Sequence, residues 1–144
     1  MARPKDYRDL IVWQKSMSLA RQVYLLSAAL PKSETYGLLA QIRRAAVSVP
    51  SNIAEGHGRL TDLQFRHFLG NARGSLYELR TQIELATNLG YLDNQSAMKL
   101  QDQSSEVARL INGLLASLSR HEQASAAIVN SASSANPAAK RLRA

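Results

Sequence analysis

Between Phe65 and Ala86 the apolar residues Phe65, Leu69, Ala72, Leu76, Leu79, Ile83 and Ala86 recur every three and four positions without a break. That alternation is the spacing of one face of an α-helix and excludes a strand, where the period is two. Set against it are arginines seven apart, Arg59, Arg66, Arg73 and Arg80. Seven residues is close to two helical turns, so the last three form a row on the same helix. With the apolar series at heptad positions a and d, these three arginines fall at e and border the packing seam. Such a row either meets phosphate or pairs helices.

Three more segments carry the same kind of pattern. Asp9 to Leu30 has two apolar rows, Leu10, Trp13, Met17, Ala20, Tyr24 and Val12, Leu19, Val23, Leu26, Leu30. Two rows exceed what one neighbouring helix needs, and the second is read as surplus surface for a subunit interface. Asp9 or Asp6 can cap the start, and Pro31 stops the end. The next segment follows Ser33 as cap and carries Leu39, Ile42, Ala46, Val49 and Ile53 in unbroken register. Pro50 inside it predicts a kink with the helix resuming, so Val49 and Ile53 are both expected in the core.

Thr61-Asp62-Leu63-Gln64 has capping-box spacing and opens the arginine-bearing segment, which Gly90 closes in a left-handed cap. Gly70 and Gly74 inside it predict close approach of another backbone, because each costs about 1 kcal/mol of helix propensity relative to alanine. A last segment starts near Asp93 or Asn94, with a stripe of Leu100, Val107, Ile111, Leu114 and Leu118, and fades near His121. Residues 123–144 are Ala, Ser and Asn with a basic end, and are expected to be a mobile tail. No segment alternates with period two over a useful length. The expectation is an all-α chain: residues 1–122 as an antiparallel up-down-up-down four-helix bundle joined by short connections.

Composition narrows the function classes. No cysteine is present, which removes disulfides and thiolate metal sites. The N-terminal apolar run is too short for a signal peptide and no stretch approaches a membrane span, so the expectation is a cytoplasmic protein with no membrane partner. The formal charge is +7, but Lys140, Arg141 and Arg143 supply part of it, and residues 1–122 hold 15 basic and 11 acidic side chains. That mild excess is compatible with nucleic acid.

Glu55, His57 and Asp62 are the one cluster that could do acid–base or metal chemistry. No HExxH, no second histidine at helical spacing and no phosphate-binding glycine loop accompany them. The expectation is a structural role for Glu55 and for Glu78, no enzyme activity, no cofactor and no metal. The candidate nucleic-acid contacts are Arg43, Arg44, Arg59, Arg66, Arg73 and Arg80, since guanidinium groups recognise phosphate bidentately. Arg43 and Arg44 sit at outward heptad positions, where a solvated face is the plainer reading. Arg3, Lys5 and Arg8 and the basic tail would add salt-sensitive affinity. Trp13, Tyr24, Tyr36, Phe65 and Phe68 fall on apolar rows and are read as core or interface, leaving few aromatics for base stacking.

The stretches DLIVWQKSMSLARQVY, SVPSNIAEGHGR and FLGNARGSLYELRTQIELATNLGYL resemble a bacterial four-helix-bundle family first associated with intervening sequences in large-subunit ribosomal RNA genes. The resemblance spans roughly residues 6–118, and NIAEG and GSLYEL in that order are its most specific parts. That family is similar to the accessory variability protein of diversity-generating retroelements, whose relatives form five-membered barrels of bundles and which binds nucleic acid and a reverse transcriptase. The resemblance therefore implies a ring-like homopentamer and points toward structured RNA or DNA and a nucleic-acid-processing protein as partners. It implies no enzymatic activity. A protein-interaction scaffold without a nucleic-acid role is the competing expectation.

Overall fold

The computed structural model describes residues 3–135. Four helices carry the fold: α1 (Ile11–Ser27), α2 (Leu38–His57), α3 (Asp62–Asn88) and α4 (Asn94–Ala135). One-turn 3-10 helices precede α1 and α2, and the described residues contain no strand. Helix α1 packs on α2, α2 on α3, α3 on α4 and α4 on α1, while the diagonal pairs bring no Cα atoms within 8 Å of each other. The result is a closed four-helix arrangement around one core.

The ends form where local chemistry dictates. Asp6 caps the first 3-10 turn by accepting from the Arg8 amide at 2.9 Å. Hydrogen bonds from the Arg8 side chain hold the Asp6 carboxyl below the usual carboxylate range. Thr61 accepts from the Gln64 amide at 3.2 Å and starts α3. Gly90, at φ 78°, lets the Tyr91 amide reach back to the Ala86 carbonyl at 2.9 Å, a Schellman closure. Asp93 accepts from the Ser96 amide at 2.7 Å and starts α4. Helix α2 departs from expectation. Its first turn is capped by Glu34, whose Oε2 accepts from the Leu38 amide at 2.7 Å, while Ser33 lies in the preceding 3-10 turn.

Helix α2 runs through Pro50 to His57 in one register, with Val49 and Ile53 both fully buried. The expectation for α1 needs correcting. Val12, Leu19 and Val23, read as surplus, are buried in the chain's own core and Leu26 is partly buried against it, whereas Met17 and Tyr24 of the first row are about half exposed. Ser16 and Ser27 explain the reversal. Both are buried in line with Val12, Leu19 and Val23, their hydroxyls bonded back to the Trp13 and Tyr24 carbonyls at 2.8 and 3.5 Å. Serines satisfied within their own helix extend the core face without showing in an apolar pattern.

Two further expectations change. A Cβ added to Gly70 or Gly74 would meet nothing within 4 Å, so neither marks a close approach within the chain. The glycine at a close approach between two helices is Gly56, where a Cβ would lie 2.6 Å from the Phe68 Cβ. Tyr36, placed with the apolar rows, is 97% exposed in the turn before α2. Helix α4 continues past His121 to Ala135, although its last fully buried residue is Ile111 and its last contact with the core is the partly buried Leu118. Lys140, Arg141 and Arg143 lie outside the described residues.

Candidate nucleic-acid interface

The arginine row lies along the α3–α4 seam, and each of its helical members bonds to a different α4 side chain. Arg66 Nη1 donates to Glu122 Oε2 at 2.7 Å. Arg73 Nη1 donates to Asn112 Oδ1 at 3.1 Å. Arg80 Nε donates to Gln101 Oε1 at 3.3 Å, and the Gln101 amide returns a bond to the Arg80 carbonyl at 3.1 Å. The e position produces this arrangement, because a long side chain bordering the seam reaches across it.

The row is therefore not uniform. Glu122 balances the charge of Arg66 in an ion pair, and Arg66 Nε is buried without a partner. Arg73 and Arg80 are held by neutral amides, which fix the guanidinium without cancelling its charge. Along α3 these two stand about 10.5 Å apart in axial rise. Beside Arg66 and Arg73 the seam opens into a hollow of about 520 Å³ lined by Leu63, His67, Gly70 and Leu115. Arg80 borders a second hollow of about 630 Å³, where Glu84 and Asp102 temper the positive field.

The remaining candidates sit elsewhere. Arg59 falls in the turn between α2 and α3, off the helical row. It pairs with Glu55 at 3.0 Å and stacks on Phe68 at 4.7 Å from the ring centroid. Arg43 reaches back to α1, donating to Ser27 Oγ and the Tyr24 carbonyl at 3.2 Å each and stacking on Tyr24 at 4.7 Å. It satisfies a carbonyl of α1's last turn, so the solvated-face reading fails for it. Arg44 is exposed on the outer side of α2. The structure thus brings Arg66, Arg73 and Arg80 together along one seam and separates Arg43, Arg44 and Arg59 from it.

The acid–base candidates are occupied in holding one end of the bundle. His57 Nε2 is 2.6 Å from the Pro4 carbonyl and can donate to it. Asp62 pairs with Arg3 and with His121 Nδ1, the latter at 2.9 Å, while Arg3 stacks on Phe65. Among the described residues no group of three or more His, Asp or Glu is placed to hold a metal ion, and no helix is long and apolar enough to cross a membrane. Sequence reasoning missed the amide anchors Asn112 and Gln101. Neither breaks a pattern on its own helix, so only the pairing of α3 with α4 reveals them.

The family model of 23S rRNA-intervening sequence proteins matches residues 8–113. A crystal structure of a protein of unknown function from the S23 ribosomal protein family of Bacteroides thetaiotaomicron superposes with a TM-score of 0.68 at 22% identity, covering 73% of this chain and 98% of that one. This likeness concerns the fold. No curated protein matches the chain.

Proposed function

The chain belongs to the 23S rRNA-intervening sequence protein family, and from that premise we propose a noncatalytic oligomer of antiparallel four-helix bundles that binds RNA or DNA through Arg73 and Arg80. One observation carries the reading: both arginines are held by amide oxygens, Asn112 and Gln101, so they stay fixed yet cationic at the surface. Arg66 and Arg59 are assigned to structure, since Glu122 and Glu55 neutralise them. Arg43 is assigned to the α1 terminus. The antiparallel course of α3 and α4 is supported by partner numbers that fall, Glu122, Asn112, Gln101, as arginine numbers rise.

Two fixed cations per chain give weak phosphate affinity, which a ring of copies multiplies. A homopentamer in the cytoplasm is the assembly we propose, with the exposed Met17 and Tyr24 side of α1 at the subunit contact in place of the buried Leu19 and Val23. Absence of catalysis is supported by the engagement of Glu55, His57 and Asp62 in bonds that hold the bundle's end.

The test is a salt-titrated binding assay of the purified protein against duplex DNA, structured RNA and single strands. Binding should weaken steeply with salt, and the double variant Arg73→Gln, Arg80→Gln should lower affinity and flatten that slope on a folded bundle. Wild-type protein that binds none of the three at low salt overturns the proposal. The scaffold reading, with a nucleic-acid-processing protein as one possible partner class, then stands in its place; the Arg66–Glu122 pair and the apolar α1 side favour it.

A further inference from the structure

Helix α4 outruns the bundle. Beyond Leu118, the last residue it packs against the core, it continues to Ala135. From Arg120 to Ala135 every residue except Ser133 is exposed. The segment Gln123–Ala135 is about 20 Å of helix. It contains no charged residue and presents Ile128 and Val129 at 69% and 66% exposure. Its sequence, QASAAIVNSASSA, is rich in serine, with asparagine and valine, all weaker helix formers than alanine. Growing from an existing helix spares it the nucleation cost. Each ordered residue still loses entropy with no burial to offset it, and helices of this length are marginal in water even when alanine-rich. The segment needs a surface to lie on. Its own bundle provides none, and on helical geometry Ala124, Ile128, Val129, Ala132 and Ala135 gather on one side of it.

A surface of matching chemistry lies between α1 and α2. There Trp13, Met17, Tyr24, Val47, Pro50 and Ala54 line an open groove of about 400 Å³, with Arg21 the only charged residue in its lining and Arg43 and Arg8 stacked on the rings of Tyr24 and Tyr7 at its edges. Tyr7 meets the Trp13 ring edge-to-face at 5.3 Å and walls one end. Pro50 and Ala54 leave a shallow floor that admits a helix bearing small residues. An uncharged helix entering this groove would desolvate no ionic group of its own, whereas most charged helices on this surface would. The groove's Trp13 mouth and the start of the extension also share one end of the bundle. The Pro4–His57 contact ties the N-terminal segment to the end of α2, and the His121–Asp62 pair holds the root of the extension at the start of α3.

We propose that Gln123–Ala135 of one copy docks as a helix in the α1–α2 groove of a second copy. The docking rests on the self-association proposed above and names the segment and the groove that perform it. A continuous helix leading away from its own bundle cannot fold back onto it, so the occupant is exchanged between copies, as apolar helix-in-groove contacts are.

The chain has no cysteine, so single-cysteine variants report contacts cleanly. Met17→Cys and Ile128→Cys proteins, one bearing a size tag, are mixed and oxidised while sedimentation follows the oligomeric state. A mixed disulfide between the two variants is the expected product. In parallel, Ile128→Asp with Val129→Asp should red-shift the emission of Trp13, the only tryptophan, because the groove refills with water. Wild-type protein that sediments as an oligomer, with no mixed disulfide and unchanged Trp13 emission, overturns the docking and leaves self-association standing. A monomer at 100-fold working concentration overturns both. A Met17→Cys, Ile128→Cys double variant that closes a disulfide within one chain also overturns the exchange between copies.

Discussion

Arg80 and Gln101 hold each other in both directions: the guanidinium Nε donates to the amide oxygen at 3.3 Å, and the amide nitrogen donates to the Arg80 carbonyl at 3.1 Å. The amide thus binds both the side chain and the backbone of one α3 residue. Asn112 holds Arg73 by a single bond. Because an amide oxygen accepts as a carboxylate does but carries no charge, position and net charge can be separated by changing one atom.

Gln101→Glu and Asn112→Asp should therefore leave the bundle folded and neutralise Arg80 and Arg73 where they stand. If these arginines meet phosphate, each substitution should flatten the slope of log affinity against log salt by about 0.7 to 0.9. In Asn112→Asp thermal stability should hold or rise slightly, since a partly exposed ion pair contributes about 0 to 1 kcal/mol; Gln101→Glu also loses the N–H donated to the Arg80 carbonyl and should cost about 0.5 to 1.5 kcal/mol. Slopes that match wild type in both variants would remove Arg73 and Arg80 from the interface.

Arg43→Met should act on stability alone. The substitution removes bonds to Ser27 Oγ and the Tyr24 carbonyl together with the stacking on Tyr24. The expected loss is about 1 to 3 kcal/mol in urea unfolding. The salt slope of nucleic-acid binding should stay at the wild-type value. A flatter slope in a protein of undiminished stability would return Arg43 to the binding surface.

Much of this fold is legible one helix at a time. The caps at Thr61 and Gly90 depend on neighbours within a few residues, and the register through Pro50 depends only on spacing. The seam position of Arg66, Arg73 and Arg80 was readable from the heptad for the same reason. Their partners were not. Glu122, Asn112 and Gln101 are ordinary polar residues until α4 is laid against α3, and which of them carries charge decides which arginine remains available. The α1 core face was misread because Ser16 and Ser27 complete it. A buried hydroxyl bonded to its own helix is invisible to an apolar count.

Those serines set up a direct comparison. Leu19→Glu places a carboxylate among buried apolar side chains in the monomer, and should unfold the chain or cost at least the 2 to 5 kcal/mol of a large-to-small core change. Met17→Glu, two residues earlier and half exposed, should keep the circular dichroism of the folded bundle and weaken self-association. Sedimentation of both proteins, with the helical signal measured alongside, separates the two effects. A folded, dissociated Leu19→Glu protein would mean that the core assignment of α1 is wrong.

The glycines give the last test, because alanine should act in opposite directions at them. At Gly56 a Cβ would lie 2.6 Å from the Phe68 Cβ and 3.4 Å from the Phe65 carbonyl. Gly56→Ala must push α2 from α3, and the strain, about 1 to 3 kcal/mol for overpacking, should exceed the propensity gain of about 1 kcal/mol. Gly70 and Gly74 face open space on α3. Alanine there should stabilise an isolated chain by about 0.5 to 1 kcal/mol at each site. Urea unfolding at low protein concentration measures all three variants on equal terms. The same variants at high concentration ask a second question. If Gly70→Ala or Gly74→Ala stabilises the dilute protein yet lowers the oligomer fraction, another copy's backbone approaches α3 at these positions. If Gly56→Ala is as stable as wild type, the close approach of α2 to α3 at Phe68 is not the constraint that keeps a glycine there.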